Sequence, residues 1–415
     1  MERWVNVSRL DLFPPTLAEA HARIAAVRPS DYARTRNALD GAVTGLSPYI
    51  THGYIDLPEV AAGVGTNHRI DPQHKLMFEL GWREFFRHVW QHRGNAILSS
   101  LHVGPLPDNN YSRELPLDVR EARTGVPAID TAVHTLYATG YLHNHARMWL
   151  ASYLVHHRRV WWQAGAAWFL THLLDGDPAS NNLGWQWVAS TWRAYPYLWN
   201  RGNLIKYAGE RYCATCPLAQ GGCPFDATYA SLSGRLFAGK TAAPGETGAL
   251  DPARLQAVPW ESPPIPEVLM NTVVWVHGDR LSPTNEALTT YLGRPAVFVW
   301  DDELLGQWEV SAKRQTFVHE CVQELPVQGV ETRSQNFSTL GTWLTIVPVE
   351  GIGSREGKTS CSSVFPPVPT EGRFIWDSLR PSPHDCRLSV GVFRERVWDG
   401  IFFLAYKNFR IVYCP

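Results

Sequence analysis

Helical periodicity built on large aromatic residues runs through the first half of the chain. Met77 to Gln91 repeats apolar and aromatic residues at helical spacing, and Ala128 to Leu142 and Met148 to Val160 do the same. Trp161 to Leu174 carries aromatic residues on several faces, which is typical of a buried helix. This pattern predicts a mainly α-helical first domain with an aromatic-rich core.

A second unit follows a stretch rich in Ala, Pro and Gly at 238–268, which reads as a linker. Thr272 to Val276 and Ala296 to Trp300 are short apolar runs of the kind that form buried parallel strands. A helical pattern spans Ser311 to Leu325. We therefore predict a small, partial α/β unit of Rossmann-like type after the helical domain.

The last segment, 327–415, is rich in Ser, Pro and Gly and lacks the alternating strands and helices that would continue such a unit. It is either irregular or the product of a changed reading frame. The expected segments are 1–210 (helical), 211–237 (Cys-containing extension), 238–268 (linker), 269–326 (partial α/β) and 327–415 (irregular tail).

The amino-acid composition indicates what class of protein this is but says little about its function. Apolar residues make up 45% and charged residues 19%, which is a globular composition. A net charge of -1 gives no general attraction to nucleic acid, so any DNA-binding face must come from local clustering. Sparse Cys, no apolar run of membrane-spanning length and no signal-peptide pattern lead us to expect a cytoplasmic monomer with free or metal-bound thiols.

The segment Leu173 to Trp187, LLDGDPASNNLGWQW, concentrates polar chemistry at one predicted helix boundary. Asp175 and Asp177 can hold a ligand or pair with an Arg, and Asn181 offers a neutral hydrogen-bonding group to a ring nitrogen. The Trp side chains offer flat faces to a planar ligand. Taken alone, the segment is equally typical of a capped helix start with two core Trp residues.

This segment resembles the flavin-binding signature of the photolyase/cryptochrome superfamily. Gly45 to Ile50 (GLSPYI) resembles the family's phosphate-contacting loop, Trp82 to His88 (WREFFRH) its Trp-Arg-Glu-Phe helix, and Gly140 to Met148 (GYLHNHARM) the helix lining its active site. All four motifs occur in the family's order, and the resemblance extends from about Tyr32 to Trp199.

The resemblance implies FAD as cofactor. Arg147 and Asp175 match an ion pair beside the isoalloxazine, and Asn181 matches the residue facing flavin N5. Val43 and Gly45 depart from the family pattern, with weaker phosphate binding as the expected consequence. The positions implied to hold FAD are Tyr32, Thr44, Leu46, Ser47, Arg83, Arg147, Asp175, Asp177 and Asn181.

The resemblance also implies a substrate, DNA that contains cyclobutane pyrimidine dimers. The matching catalytic positions are Glu79, Trp82, Asn144, Met148 and Trp187. Their types suit the chemistry, because Trp rings can stack on two fused bases while Glu and Asn hydrogen-bond the charged intermediate. Asn144 stands where (6-4) photolyases carry His, and His145 replaces an Arg that contacts the DNA backbone. A phosphate-facing surface is expected from Arg83, Arg87, Arg93, Arg158 and Arg159.

The implied reaction is light-driven electron transfer from reduced FAD to a dimer flipped out of the duplex. Trp185 and Trp162 match the first two members of the family's electron-transfer chain. A third Trp is missing from the sequence pattern, and Tyr111 is the nearest aromatic residue. The alternative function is a cryptochrome-like photoreceptor or partner-binding flavoprotein without repair.

Three Cys residues, Cys213, Cys216 and Cys223, have a spacing that suits a zinc or iron–sulfur site. A fourth ligand would have to come from Cys321 or from a His of the helical domain. The simpler interpretation is a turn with free thiols, and the metal alternative would make the protein a redox flavoprotein.

The second unit resembles the start of the family's α/β antenna domain, through Val274 to Leu281, Asn285 to Leu288 and Val297 to Asp301. In ordinary members that domain comes first, so the order here is that of a circular permutation. Because the unit is incomplete, we expect no antenna chromophore.

Overall fold

The computed structural model describes residues 12–237, 272–276, 278–300, 310–326, 331–334 and 410–413. Its first part is helical. The helices are α1 Leu17–Ala26, α2 Pro29–Thr35, α3 Ser47–Thr51, α4 Leu57–Asn67, α5 Lys75–Arg93, α6 Leu117–Arg120, α7 Pro127–Thr139, α8 Asn144–Ser152, α9 Trp162–His172, α10 Pro178–Ala189, α11 Arg201–Ala208 and α12 Tyr229–Phe237. A π-helical turn at Tyr153–His157 follows α8.

Several of these helices begin where a side-chain oxygen accepts a backbone N–H of the first turn. Asp56 caps α4 and Asp177 caps α10 in this way, each with Pro within the first two helical positions. The four helices expected from aromatic periodicity are confirmed as α5, α7, α8 and α9. The start of α8 was misplaced, because the helix begins at Asn144 rather than at Met148.

The turn after α7 brings two parts of the site together. Gly140 adopts a left-handed conformation with φ 67°, and a side-chain carbon there would lie 2.8 Å from Leu174 Cγ. The carbonyl of Gly140 accepts a hydrogen bond of 2.8 Å from Leu174 N. This contact ties the start of α8 to the loop that precedes α10.

The helical core is rich in Trp, as the sequence predicts. Its main cluster joins residues of α7, α8, α9, α10 and α11 and includes the buried side chains of Trp149, Trp162, Trp168, Trp185 and Trp199. Burial of rings this large supplies much of the free energy that favours the fold. The mainly α architecture of the first domain is thereby confirmed.

The second unit is a parallel four-stranded sheet. Its strands are β1 Thr272–Val276, β2 Ala296–Trp300, β3 Glu331–Ser334 and β4 Arg410–Tyr413, in the order β3-β2-β1-β4. Two further helices belong to it, α13 Glu286–Thr290 and α14 Ala312–Gln323. The expectation of an irregular tail was wrong at β3 and β4, which both come from 327–415. The expected linker, 238–268, lies outside the described residues.

The sheet unit packs directly on the helical domain. Phe298 and Phe317 share a hydrophobic cluster with residues of the first 80 positions, among them Tyr49 and Tyr54. Tyr54 Oη donates a hydrogen bond of 3.0 Å to the carbonyl of Cys321 in α14. The two units therefore form one continuous core. Within the described part of the chain, no helix has the length and apolarity that crossing a membrane requires.

Candidate functional site

A cavity of about 590 Å³ opens among α3, α5, α8, α9 and α10. Its size falls in the range of pockets that hold small molecules and cofactors. Eleven of the residues expected from the sequence line it: Ser47, Glu79, Trp82, Arg83, Asn144, Arg147, Met148, Asp175, Asn181, Trp185 and Trp187. Tyr32, Thr44, Leu46, Asp177 and Trp162 are outside this lining.

A buried ion pair crosses the floor of the cavity. Arg147 Nη2 donates to both Asp175 oxygens, at 3.0 and 2.8 Å, while Arg147 Nε donates to the carbonyl of Leu142 at 2.9 Å. Burial by itself would raise the pKa of Asp175, but Arg147, Ser47 and Arg83 together lower it below its ordinary value. The carboxylate is therefore charged at neutral pH, although only 3% of its side chain is exposed.

Asp177 serves first as the N-cap of α10. Its carboxylate accepts the Ser180 N–H at 2.8 Å and also bonds the Ser180 hydroxyl. Burial would raise its pKa, but the nearby guanidinium of Arg83 leads the contributions that lower it. Arg83 in turn donates to the Thr51 hydroxyl at 2.7 Å. Asp177 thus caps α10 and at the same time lies close to Arg83, which lines the cavity.

The loop before α3 approaches the cavity through Ser47. Gly45 has φ 63°, and Leu46, which is fully buried, donates its N–H to Thr44 Oγ1 at 3.4 Å. The Ser47 hydroxyl lines the cavity with Asp175 and contributes to the lowered pKa of that carboxylate. Tyr32 lies nearby with the Arg36 guanidinium 5.8 Å from its ring centroid.

Asn181 is buried on the first turns of α10. Its Nδ2 donates a hydrogen bond of 2.9 Å to the carbonyl of Ala166 in α9. This bond fixes the orientation of the side-chain amide at the wall of the cavity.

Glu79 is held by a partner that the sequence analysis missed. Arg36 Nε lies 3.3 Å from Glu79 Oε1, and the Arg36 carbonyl lies 3.0 Å from His143 Nε2. Arg36 is 43 positions away in sequence, so only the folded structure could pair it with Glu79. Asn37, its neighbour, also lines the cavity.

Aromatic rings form the outer wall of the cavity. Trp82 is 47% exposed and packs edge-to-face on Phe85, with ring centroids 5.6 Å apart. Trp187 lies 5.6 Å from the Tyr197 ring and carries the Arg193 guanidinium 4.1 Å from its centroid.

An amide and a thioether side chain lie one helical turn apart at the start of α8. Asn144 Nδ2 lies 3.6 Å from the sulfur of Met148. Asn144 is exposed and Met148 is half-buried, and both line the cavity. This spacing places an amide and a polarizable thioether on the same face of the helix.

The expected phosphate-facing cations are only partly available. Arg158 donates to both oxygens of Asp118, at 2.7 and 2.9 Å, and Arg159 donates to the carbonyl of Leu236. Both side chains are therefore engaged within the helical domain, which leaves fewer of their donors available to a phosphate. His145 is buried against Tyr207, and burial lowers its pKa to about 4, so it carries no charge at neutral pH.

Of the two expected electron-transfer residues, Trp185 lines the cavity and Trp162 belongs to the same buried cluster. Trp185 packs on Phe169 with ring centroids 4.9 Å apart, and Trp162 Nε1 donates to Ser100 Oγ at 3.0 Å. Tyr111 lines a small cavity together with Trp162 and Trp161. Trp161 was not considered from the sequence, and it is the adjacent aromatic neighbour of Trp162.

The three clustered Cys residues carry free thiols. Among the residues that the structure describes, no group of three or more potential metal-ligating side chains comes together. Cys321 cannot complete the cluster, because it is buried in the core shared with the sheet unit, whereas Cys213 and Cys223 pack against the Trp-rich helical core. The arrangement of the described residues therefore does not support the zinc or iron–sulfur site that the spacing suggested.

Sequence comparison identifies the helical domain. Residues 76–208 match the family described as the FAD binding domain of DNA photolyase. A deoxyribodipyrimidine photo-lyase of Synechococcus sp. is 33% identical over 178 residues, which cover 39% of this chain and 35% of the relative. The Escherichia coli deoxyribodipyrimidine photo-lyase is 38% identical over 141 residues, covering 32% and 30%.

A rice cryptochrome DASH is 36% identical over 169 residues, covering 38% of this chain and 28% of the relative. A solved structure of a Synechocystis cryptochrome is 29% identical to this chain. The superposition covers 46% of this chain and 43% of the cryptochrome, with a TM-score of 0.42. The chain spans about a third of the length of the curated relatives it matches. Residues 76–208 are therefore similar to the FAD-binding domain of the photolyase/cryptochrome superfamily.

Proposed function

We propose that this chain binds FAD in the cavity and uses blue light to repair cyclobutane pyrimidine dimers in DNA. The observation that carries the proposal is the shared lining of one cavity. Glu79, Trp82, Asn144, Met148 and Trp187 line the same space as the Arg147–Asp175 ion pair. Cofactor and substrate would thus meet in van der Waals contact.

The residues present fit a flavin. The cavity combines a buried ion pair and an amide at its floor with aromatic rings at its wall, which suits a planar, polar heterocycle. Arg147, Asp175 and Asn181 would hold the ring system, with Arg83 and Asp177 behind them. Ser47, Thr44, Leu46 and Tyr32 would contact the phosphate-bearing part.

When bound and reduced, FAD supplies a light-excited electron donor. The protein has to bring the lesion to it, and Trp82 and Trp187 offer faces on which flipped bases can stack. The Glu79 carboxyl group and the Asn144 amide can hydrogen-bond the pyrimidine carbonyl and imide groups. Arg36, by pairing with Glu79, would fix the direction in which that carboxyl group points.

Supply of electrons to the flavin is proposed to pass through Trp185 and Trp162. Both rings are buried, and burial in the folded core keeps them in fixed positions. Tyr111 and Trp161 both lie beside Trp162 and are the two candidates for the outermost position. Substitution of each by Phe, followed by measurement of the photoreduction rate, separates them.

A photoreceptor without repair activity is the second candidate function. One observation favours it specifically. His145 is neutral and buried where a DNA-contacting Arg is the expectation, so one backbone contact to substrate is missing. Cryptochromes are also among the relatives, as the rice protein illustrates.

We also propose that the sheet unit is an antenna-type α/β domain placed after the helical domain. In its support, the parallel order β3-β2-β1-β4 is that of the first four strands of a doubly wound sheet. We expect the unit to fold only together with the helical domain, because Tyr49 and Tyr54 of that domain share its hydrophobic cluster.

A paired substitution tests the repair proposal. Glu79→Gln removes the charge of a cavity-lining carboxylate, whereas Glu84→Gln does the same on the same helix, α5, outside the cavity lining. With the flavin reduced and a single thymine dimer in an oligonucleotide, we expect Glu79→Gln to lose about tenfold or more in repair per photon. Glu84→Gln should stay within about twofold of the unaltered protein. Equal repair by both variants would show that Glu79 does not act on the substrate.

A further inference from the structure

Three side chains bond the backbone carbonyls of the loop that carries Asp175. His52 Nε2 lies 2.9 Å from the carbonyl of Leu174, and Thr51 Oγ1 donates to the carbonyl of Asp175 at 3.3 Å. The carbonyl of Gly176 accepts a bond of 2.7 Å from Arg314 Nη2. The first two side chains belong to the helical domain, but Arg314 belongs to α14 of the sheet unit.

Arg314 joins this loop to the end of α9. Its Nη1 donates to the carbonyl of Leu170 at 3.0 Å, in the last turn of that helix. Ser311, just before α14, donates its N–H to the carbonyl of Thr171 at 2.9 Å. The last carbonyls of a helix lack partners within the helix and carry partial negative charge, so a guanidinium is a favourable partner there.

Close packing leaves little freedom at this contact. A side-chain carbon added at Gly176 would lie 2.6 Å from Arg314 Nη1. The glycine between the two Asp residues is thus the position at which the guanidinium comes closest to the loop. Asp175 and Asp177 both act electrostatically on Arg314, while burial lowers its pKa to about 10, so it remains a cation at neutral pH.

We propose that Arg314 is a positioning residue through which the sheet unit sets the shape and charge of the flavin pocket. It bonds the 173–177 loop at the carbonyl of Gly176 and the end of α9 at the carbonyl of Leu170, and it offsets the negative charge of Asp175 and Asp177. The inference rests on the proposed binding of FAD in this cavity. Its consequence is that flavin affinity and flavin reduction potential depend on a domain that contributes no residue to the cavity lining.

The test compares three variants of the full chain. Arg314→Met removes the cation and both hydrogen bonds. Arg314→Lys keeps the charge but cannot bond the carbonyls of Leu170 and Gly176 in the geometry of a guanidinium. Lys313→Met removes a cation from the same turn of α14 without touching the bonds to the loop. FAD dissociation constants and midpoint potentials are measured for each, and hydrogen exchange of the peptide containing 170–177 is followed in the apoprotein.

We expect Arg314→Met to weaken FAD binding about tenfold or more, since it removes two charge-assisted hydrogen bonds. It should also lower the midpoint potential, because an uncompensated negative pocket disfavours the electron-rich flavin. Arg314→Lys should recover most of the potential but only part of the affinity. Lys313→Met should match the unaltered protein in both quantities.

Two results overturn the inference while leaving the proposed function intact. One is unaltered FAD affinity and potential in Arg314→Met, and the other is an equal effect of Arg314→Met and Lys313→Met. If the unaltered chain binds no FAD, the proposed function fails. The inference is then judged on hydrogen exchange of the apoprotein, in which unaltered protection of 170–177 in Arg314→Met would contradict it. If Arg314→Met fails to fold, Arg314→Lys carries the same comparison.

Discussion

The Arg147–Asp175 ion pair is the residue-scale feature on which the pocket floor depends. The Asp175 side chain is 3% exposed and that of Arg147 is 23% exposed. We expect Asp175→Asn to lower the free energy of unfolding of the apoprotein by about 3 kcal/mol, because it leaves a largely buried guanidinium without its counter-charge. Chemical unfolding with urea measures this change.

The matched control is a pair of similar geometry near the surface. Asp118 is 37% exposed and bonds Arg158, which is 28% exposed. Asp118→Asn should cost no more than about 1 kcal/mol, because water screens this pair. A loss at Asp175 no larger than the loss at Asp118 would show that burial does not distinguish the two pairs.

Gly165 controls the position of Trp185. A side-chain carbon at Gly165 would lie 2.3 Å from Trp185 Cη2, far inside any normal contact. Gly165→Ala should therefore displace the indole and reduce stability by about 1–3 kcal/mol. It should also lower the fraction of purified protein that carries FAD.

Gly81 of α5 provides the comparison, since nothing lies within 4 Å of a carbon added there. Gly81→Ala should leave FAD content unchanged and stabilise the protein by about 0.5–1 kcal/mol, as expected for a helix interior. Equal FAD content in the two variants would mean that Trp185 has room to move without affecting the pocket.

At the scale of elements, local pattern predicted the helices well and the site residues in part. The aromatic periodicity of α5 and α9 is a property of each segment alone, so the sequence sufficed for both. The pairing of Arg36 with Glu79 and the contact of Arg314 with the 173–177 loop are set by packing between distant segments. Local sequence patterns do not predict contacts between distant segments, so both contacts were missed.

The strands of the tail were missed for a related reason. β3, Glu331–Ser334, is polar at every position, so it lacks the hydrophobic signal of a strand. It lies at one edge of the sheet, where a strand needs pairing on one side only. β4, Arg410–Tyr413, lies at the other edge, far along the chain from its partner β1.

Removal of β4 tests its contribution to the sheet. A chain ended at Asn408 would leave one side of β1 unpaired and expose its backbone N–H and C=O groups. We expect a lower midpoint of thermal unfolding and more aggregation than in the full chain, with α-helical circular dichroism retained at low temperature. An identical unfolding curve and solubility would show that β4 adds nothing to the sheet.

At the scale of the whole molecule, buried neutral His residues link folding to pH. His52 and His156 are 3% and 0% exposed, and burial lowers their pKa values to about 4 and about 3. In the unfolded chain each titrates near pH 6.5. The unfolded state therefore takes up protons first, and the stability present above pH 6.5 is lost as the pH falls toward 4.

Between pH 6.5 and pH 5, each of these residues should reduce the free energy of unfolding by up to about 2 kcal/mol. Urea unfolding at pH 7 and pH 5 measures the difference. His156→Gln should reduce the pH dependence, because it removes one of the two buried imidazoles. Equal stability at the two pH values would contradict the buried neutral state.

The two units act as one molecule in this account. His52 lies between the carbonyl of Leu174 in the helical domain and that of Gly278 in the sheet unit, at 2.9 and 2.8 Å. A neutral imidazole donates to only one of them, so its tautomer selects which side is bonded. Together with Arg314, it places the junction of the two units directly behind the proposed flavin pocket.

Repair of a thymine dimer by the full chain is the measurement that tests the central proposal most directly. The protein, with its flavin reduced, is mixed with an excess of an oligonucleotide that contains one thymine dimer and is illuminated with blue light. We predict recovery of thymine absorbance for more than one dimer per protein molecule under light, and none in darkness. Bound FAD without recovery under light would contradict repair and favour the photoreceptor.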